Sequence, residues 1–120
     1  MPSRVVTATN VDIALTPSGA LVATAVRNTK HKPVSITIDN LDGGADHTIE
    51  VWDSFTPDVS NLVAVPVYTK VRRYRINLIM GDLIVLERGD LEGVECLGNL
   101  SILADAVDAL CLITVGYETV

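Results

Sequence analysis

The chain has 120 residues, of which 48% are hydrophobic and 20% charged, and its formal net charge is −6. This composition excludes a disordered tail and favours one domain over residues 1–120 with its own hydrophobic core. Val, Ile and Thr make up 37 residues, which predicts an all-β fold because β-branched side chains pack well on sheets and lose rotamer freedom in helices. Residues 1–10 lack the apolar core of a secretory signal, and no apolar run reaches the roughly 18 residues of a membrane-spanning helix. We therefore expect no membrane segment, and folding in the compartment where the chain is made.

Three segments in the first half of the chain alternate apolar and polar residues, as strands with one buried face do. They lie at residues 11–15, 34–38 and 49–51, and the second has the most regular alternation. The Thr-Pro-Ser-Gly turn at 16–19 predicts a hairpin from the first segment into residues 21–27. The Asp-Gly-Gly turn at 42–44 predicts a second hairpin, between the other two segments.

The proline-containing stretch at residues 54–66 predicts a crossover loop or an interrupted edge strand, because proline cannot donate to a central ladder. Strand pairing is expected to switch sheets there. A long strand is expected over residues 68–80. Tyr74, Ile76, Leu78 and Met80 share one face of this strand, but Val71 is out of phase with them, and a bulge near Arg72 would restore the alternation.

The C-terminal part of the chain contains three more predicted strands, at residues 83–86, 97–103 and 109–116, with a turn or a single helical turn at 105–108. The last strand is apolar on both faces, because Leu110 and Leu112 alternate with equally apolar neighbours. Such a strand is expected to be covered on both faces, by a loop or by a neighbouring subunit. About eight strands without a long amphipathic helix predict an antiparallel two-sheet β-sandwich, for which jelly-roll and immunoglobulin-like topologies both stay open.

No pattern in the chain matches a metal-binding motif. The acidic segment at residues 39–46, followed by Glu50, has the spacing of a calcium loop, but Leu and Gly occupy two positions that need oxygen ligands. A solvated turn is the favoured interpretation. His31 and His47 fall in predicted loops without a third ligand at zinc spacing, so we expect no metal site and no cofactor.

Catalytic motifs are also missing from the sequence. Asp53 and Asp58 could pair as the two carboxylates of a glycosidase, but such pairs belong to clefts of much larger domains. We therefore expect that the protein is not an enzyme. Cys96 and Cys111 lack CxxC spacing, which favours two buried thiols, with a disulfide as the alternative.

Charge is distributed unevenly along the chain: residues 76–120 contain one basic and eight acidic side chains, whereas Lys70, Arg72, Arg73 and Arg75 form a basic cluster. The acidic half argues against nucleic acid as a partner. The cluster either protects an edge strand from pairing or docks on an acidic surface. Arg73 and Arg75 are expected to lie in solvent, opposite the core-facing side chains of their strand.

Trp52 and Phe55 lie just before the proline-containing stretch. A single Trp in a small domain usually belongs to the core or to an interface, where its large area dominates packing. It could alternatively stack on a sugar.

The segment at residues 34–57, VSITIDNLDGGADHTIEVWDSFTP, resembles the hairpin and acidic loop of small β-sandwich proteins in tailed-phage capsids, the decoration and minor capsid proteins. The resemblance implies a structural component of a virion, made in the host cytoplasm without a signal peptide; a cytoplasmic location is the alternative. We predict a non-enzymatic assembly protein that contacts copies of itself, as a trimer or larger, and a larger shell protein. A carbohydrate-binding-like β-sandwich is the alternative function. The interface is predicted at Lys70, Arg72, Arg73, Arg75, Leu110, Leu112 and Trp52.

Overall fold

A computed structural model describes residues 3–8, 20–26, 28–55 and 69–120. These residues form eight strands and no helix, which confirms the all-β prediction. The strands are β1 (Ser3–Ala8), β2 (Ala20–Ala23), β3 (His31–Asp39), β4 (His47–Phe55), β5 (Thr69–Leu78), β6 (Leu83–Leu86), β7 (Asn99–Ala104) and β8 (Asp108–Thr119). The predicted strand and turn at residues 11–19, and residues 56–66 of the predicted crossover, lie outside the described residues.

The strands form two antiparallel sheets of four strands each, packed face to face as a β-sandwich. The order is β1-β8-β3-β6 in the first sheet and β2-β7-β4-β5 in the second. The first strand pairs with the eighth, the second with the seventh, the third with the sixth and the fourth with the fifth. The first four strands thus pair with the last four in reverse order, and these pairs are divided between two sheets. This is the jelly-roll arrangement and not the immunoglobulin-like one.

Two predicted connections are wrong. The predicted hairpin around residues 42–44 does not form, because β3 lies in the first sheet and β4 in the second. The predicted switch of sheets at residues 54–66 is also wrong, since β4 and β5 are neighbours in the second sheet and residues 54–55 still belong to β4. Turn residues determine where the chain can bend, but the partner of each strand is set by burial across the whole fold.

The predicted bulge in β5 is confirmed. Val51 lies opposite Tyr74 and Trp52 lies opposite Arg72, so Arg73 is the extra residue. The bulge keeps Tyr74 and Ile76 packed against the core, as the alternation in this strand requires.

The core fills the space between the sheets with branched aliphatic side chains from both. Its most deeply buried members are Ile36, Ile38, Leu100, Ile102, Ile113 and Val115. Cys96 and Cys111 are also in this core, each 0% exposed, and both are free thiols. The interpretation as two buried thiols is confirmed, and the alternative disulfide is not formed.

Candidate protein-interaction surface

The outer face of the first sheet, turned away from the core, carries exposed aliphatic side chains. The side chains that form it are between 42% and 61% exposed: Val5, Leu83, Val85, Leu110 and Leu112. Each alternates with a neighbour that packs in the core, because successive side chains of a strand point to opposite faces. We call these five residues the apolar face.

The register of the strands joins four of these residues into two rows across the sheet, and Leu110 lies outside both rows on β8. One row runs from Val5 through two threonines to Val85, and the other runs from Thr7 through Leu112 and Asp39 to Leu83. Asp39 is the one charged residue in the two rows. Exposed aliphatic side chains grouped with few charges are typical of a surface that contacts another protein.

The structure places the predicted interface residues on two different faces. Leu110 and Leu112 belong to the apolar face, but the basic residues and Trp52 belong to the second sheet. The other members of the apolar face, Val5, Leu83 and Val85, were not predicted from the sequence. Their contribution depends on β1 and β6 lying beside β8 and β3, which local alternation does not reveal.

The outer face of the second sheet is polar where β4 meets β5. Arg72 Nη1 donates to Glu50 Oε2 at 2.8 Å, and the half-buried Trp52 donates from Nε1 to Glu50 Oε1 at 3.4 Å. Lys70 and Arg75 are exposed on the same strand as Arg72. Lys70, Arg72 and Arg75 are called the basic strip below.

Arg73 does not belong to this strip, and the expectation that it lies in solvent is wrong. Its guanidinium donates to Asp53 Oδ2 from Nε at 3.1 Å and from Nη2 at 2.6 Å. The Arg73 side chain is 29% exposed and the Asp53 side chain 0% exposed. The bulge at Arg73 breaks the alternation of β5 and lets this side chain reach the core side of the sheet.

Asp53 connects three parts of the fold. Besides Arg73, its carboxylate accepts the backbone amides of Leu97 and Gly98, each at 2.9 Å. A side chain is excluded at Gly98, because a Cβ there would lie 2.1 Å from the carbonyl oxygen of Ser54. Four donors saturate this carboxylate, which indicates a structural and not a catalytic role. Asp58, its proposed catalytic partner, lies outside the described residues.

Cys96 lies next to the ion pair of Asp53 and Arg73, and its thiol has low reactivity. Burial, with a further contribution from the charge of Asp53, raises the pKa of the Cys96 thiol to about 12. Such a thiol stays protonated at neutral pH and is a poor nucleophile.

His31 and His47 open β3 and β4 and are each 3% exposed, so their prediction as loop residues is wrong. His31 Nε2 lies 2.7 Å from the carbonyl oxygen of Thr24, and its Nδ1 lies 2.9 Å from Thr119 Oγ1. A carbonyl can only accept, so His31 Nε2 carries a proton and ties the end of β2 to β3. His31 therefore has a structural position.

His47 lies between two carboxylates at one end of the sandwich. Its Nδ1 is 2.8 Å from Asp105 Oδ1 and its Nε2 is 2.8 Å from Asp108 Oδ2. Burial lowers the pKa of His47, but the hydrogen bonds with Asp108 and Asp105 outweigh burial and raise it above the ordinary value of 6.5. Neither carboxylate was linked to His47 by the sequence, because they are 58 and 61 residues away.

Side chains of the acidic segment at residues 39–46 hold neighbouring parts of the chain through hydrogen bonds to the backbone. Asp39 Oδ1 accepts the Leu41 amide at 3.1 Å, and Asp46 Oδ1 accepts the Met80 amide at 2.8 Å. The buried Asn40 donates from Nδ2 to the carbonyls of Ala45 and Ile79. Within the described part of the chain, no three His, Cys, Asp or Glu side chains are arranged to hold a metal ion.

A cavity of about 450 Å3 lies between β3 and the connection that follows β6. The charges at its rim are paired, with Lys32 Nζ 3.3 Å from Glu95 Oε1 and Arg88 Nη2 2.6 Å from Glu118 Oε1. Its lining in the described chain has no histidine, cysteine or hydroxyl side chain.

Comparison of the chain with family models, with curated proteins and with solved structures finds no match. The described residues contain no helix long and apolar enough to cross a membrane. Interpretation of this surface therefore depends on its own geometry.

Proposed function

We propose that this chain is a non-enzymatic assembly protein whose apolar face binds copies of the same chain. The observation that supports the proposal is the apolar face itself, which presents five half-exposed aliphatic side chains, four of them in two rows that otherwise contain three threonines and one charged residue. On a sheet face that contacts water, the outward-pointing positions are normally occupied by polar residues. Exposing these apolar side chains to water costs free energy, and burying them in an interface would remove that cost.

The chemistry of the apolar face favours a second copy as its occupant. Each chain has a net charge of −6, so two copies repel one another wherever their charged surfaces approach. The apolar face is a region where this repulsion is small. A face-to-face pair related by a two-fold axis would place each apolar row against the same rows of its partner.

The expected strength of this contact is moderate. Burying the exposed half of one Leu or Val contributes about 1 kcal/mol, so ten such side chains in a pair contribute about 10 kcal/mol. Association costs are of similar size, at about 4–15 kcal/mol. Assembly should therefore depend on concentration and on further contacts.

The basic strip provides a second contact for larger assemblies. Lys70, Arg72 and Arg75 lie on the second sheet, while aspartates cluster at the end of the sandwich that contains Asp46 and Asp82. A strip-to-aspartate contact joins unlike surfaces, and unlike surfaces generate rings or arrays. Such a contact supports the predicted trimer or larger assembly and weakens as salt is raised.

The most specific form of the proposal is a virion component, either a capsid decoration or a minor capsid protein that also contacts a larger shell protein. The jelly-roll fold is shared by viral capsid domains, lectin domains and cupins, so the fold alone does not choose among them. The resemblance of residues 34–57 to small tailed-phage capsid proteins favours the viral capsid role.

Light scattering of two matched variants tests the proposal. Leu112→Glu places a charge in the centre of the apolar face, while Leu97→Glu makes the same change at a side chain that is 49% exposed in a connection. We expect the Leu112 variant to lose assembly and the Leu97 variant to keep it. Equal assembly of both variants at equal concentration would contradict the proposal, and sugar binding by an unassembled parent would favour the carbohydrate-binding alternative.

A further inference from the structure

The contacts of His47 require a charged imidazolium. Both ring nitrogens lie 2.8 Å from carboxylate oxygens, one of Asp105 and one of Asp108. An ionised carboxylate only accepts hydrogen bonds, so both nitrogens carry protons when both contacts are made. The side chains of His47 and Asp108 are 1% and 12% exposed, so a low dielectric strengthens the charge-assisted bond between them.

The two carboxylates hold several connections at this end of the sandwich. Asp108 Oδ2 also accepts the backbone amide of Gly44, and Asp108 Oδ1 accepts the amide of Leu110, each at 3.0 Å. Asp105 lies in the short connection between β7 and β8. His47 thus joins the start of β4 to the start of β8 and, through Asp108, to the residue 40–46 connection.

Leu110 links this cluster to the apolar face. It is 61% exposed, and its amide is fixed by the Asp108 side chain that His47 holds. β1 also reaches this point, because Ala8 lies opposite Asp108 in the register. The position of the end of the apolar face therefore depends on the His47 contacts.

We propose that His47, Asp105 and Asp108 form a proton-operated latch, which orders the start of β8 while His47 is charged and releases it when His47 loses a proton. The consequence for assembly rests on the function proposed above. Loss of the proton leaves one ring nitrogen with a lone pair facing a carboxylate, which replaces an attractive contact with a repulsive one. Gly44 and Leu110 are then held by an aspartate that no longer has a fixed position.

The charged groups around the latch are acidic. Asp46 on the connection before β4 and Asp82 in the turn between β5 and β6 line the same open depression of about 390 Å3, together with His47 and Asp105. Its lining in the described chain includes no Lys or Arg. The negative surroundings favour the protonated state of His47, and the Asp105 side chain, which is 47% exposed, connects the ring to water.

The sign of the pH dependence follows from the two shifted groups. The pKa of His47 is raised above 6.5, so its contribution to stability is complete below pH 6.5 and is lost as the pH rises through the folded-state pKa. The hydrogen bond from His47 is the main cause that lowers the pKa of Asp108 below 3.8, so that contribution is lost only as the pH falls through the lowered value. The latch is therefore closed between these limits and opens on the alkaline side.

Cys111, whose pKa is raised by burial and then by nearby Asp108, does not titrate in the same range. Its pKa is raised to about 11. A neutral thiol persists through the pH range in which His47 is expected to lose its proton.

Amide hydrogen exchange of the full chain offers a test with an internal control. The amides of Gly44 and Leu110 are bound by Asp108, which His47 holds, whereas the amides of Leu97 and Gly98 are bound by Asp53. Asp53 is held by an arginine, which keeps its charge at all these pH values. After correction for the intrinsic exchange rate, the first pair should lose protection above pH 6.5, by up to about tenfold per pH unit for one proton, and the second pair should not. Equal pH dependence of the two pairs would overturn the latch.

Two histidine variants complete the test. His47→Gln keeps a hydrogen-bond donor but cannot take a charge, so it should abolish the pH dependence at Gly44 and Leu110 and leave their protection low throughout. His31→Gln changes the other buried histidine, which touches no carboxylate, and should keep the pH dependence of the parent. A His47→Gln protein that still shows the parental pH dependence would contradict the proposal.

The effect on assembly is measured separately, by sedimentation of the parent at pH 6 and above. We expect the apparent dissociation constant to rise with pH in the parent and in His31→Gln, but not in His47→Gln. If exchange shows the latch while the parent is monomeric at every pH, the assembly function fails and the latch stands. If assembly occurs with no pH dependence at Gly44 and Leu110, the latch fails and the assembly function stands.

Discussion

Arg73→Leu should destabilise the sandwich far more than the same change at the neighbouring Arg72. Arg73 neutralises an aspartate that is 0% exposed, and leucine would leave that carboxylate buried with no cation beside it. Removing one partner of a buried pair costs about 3–5 kcal/mol. The amides of Leu97 and Gly98 would still bind Asp53, so the change should weaken the fold and not rearrange it.

Arg72 provides a matched control on the same strand. Its partner is Glu50 at 2.8 Å, but the Arg72 side chain is 48% exposed. An exposed pair contributes about 0–1 kcal/mol, so Arg72→Leu should change the free energy of unfolding by no more than that. Arg73→Lys keeps the charge without the planar fork and should fall between the two leucine variants.

Urea unfolding followed by the fluorescence of Trp52, the one tryptophan of the chain, measures all three variants. Total stabilities of single domains are about 5–15 kcal/mol, so a loss of about 3–5 kcal/mol is large but measurable. Equal losses for Arg73→Leu and Arg72→Leu would refute the assignment of Arg73 to a buried ion pair. They would instead restore the expectation that Arg73 lies in solvent.

Two further predictions concern packing and thiol chemistry. Gly98→Ala should lower the free energy of unfolding by more than about 2 kcal/mol, because the new Cβ would lie 2.1 Å from the Ser54 carbonyl oxygen. Gly89→Ala, where a Cβ would have nothing within 4 Å, should lower it by less than about 1 kcal/mol. Urea unfolding compares the two variants, and equal losses would contradict the close approach at Gly98. Cys96 and Cys111 should resist iodoacetamide in the native protein, since burial raises their pKa to about 12 and about 11, and mass spectrometry should find label only after unfolding. Rapid labelling of the folded chain would show that the thiols are accessible.

Sequence patterns predicted the local structure well where one face of a strand is buried. The alternation at residues 34–38 lies within β3, and the broken alternation near Arg72 corresponds to the observed bulge. Both features are local, because the side-chain period of a strand depends on the strand alone. The pairing of β3 with β8, and not with β4, depends on contacts between distant parts of the chain.

The candidate surface was predicted only in part for the same reason. Leu110 and Leu112 were found because both faces of one strand are apolar, but Val85 lies in a strand whose neighbour is known only from the sheet order. His47 and its two carboxylates come together through the topology, with no short motif to join them. Arg73 was assigned to solvent because alternation does not show which way a bulged residue turns.

Sedimentation of the unmodified chain over a range of concentrations tests the central claim most directly. At pH 6, where the latch is closed, we expect the average mass to rise above that of one chain between about 1 μM and about 1 mM, as a moderate interface requires. Hydrogen exchange at the two ends of this range should show added protection in β1, β6 and β8, the strands that form the apolar face. A single-chain mass throughout, with unchanged exchange in these strands, would contradict assembly through this face.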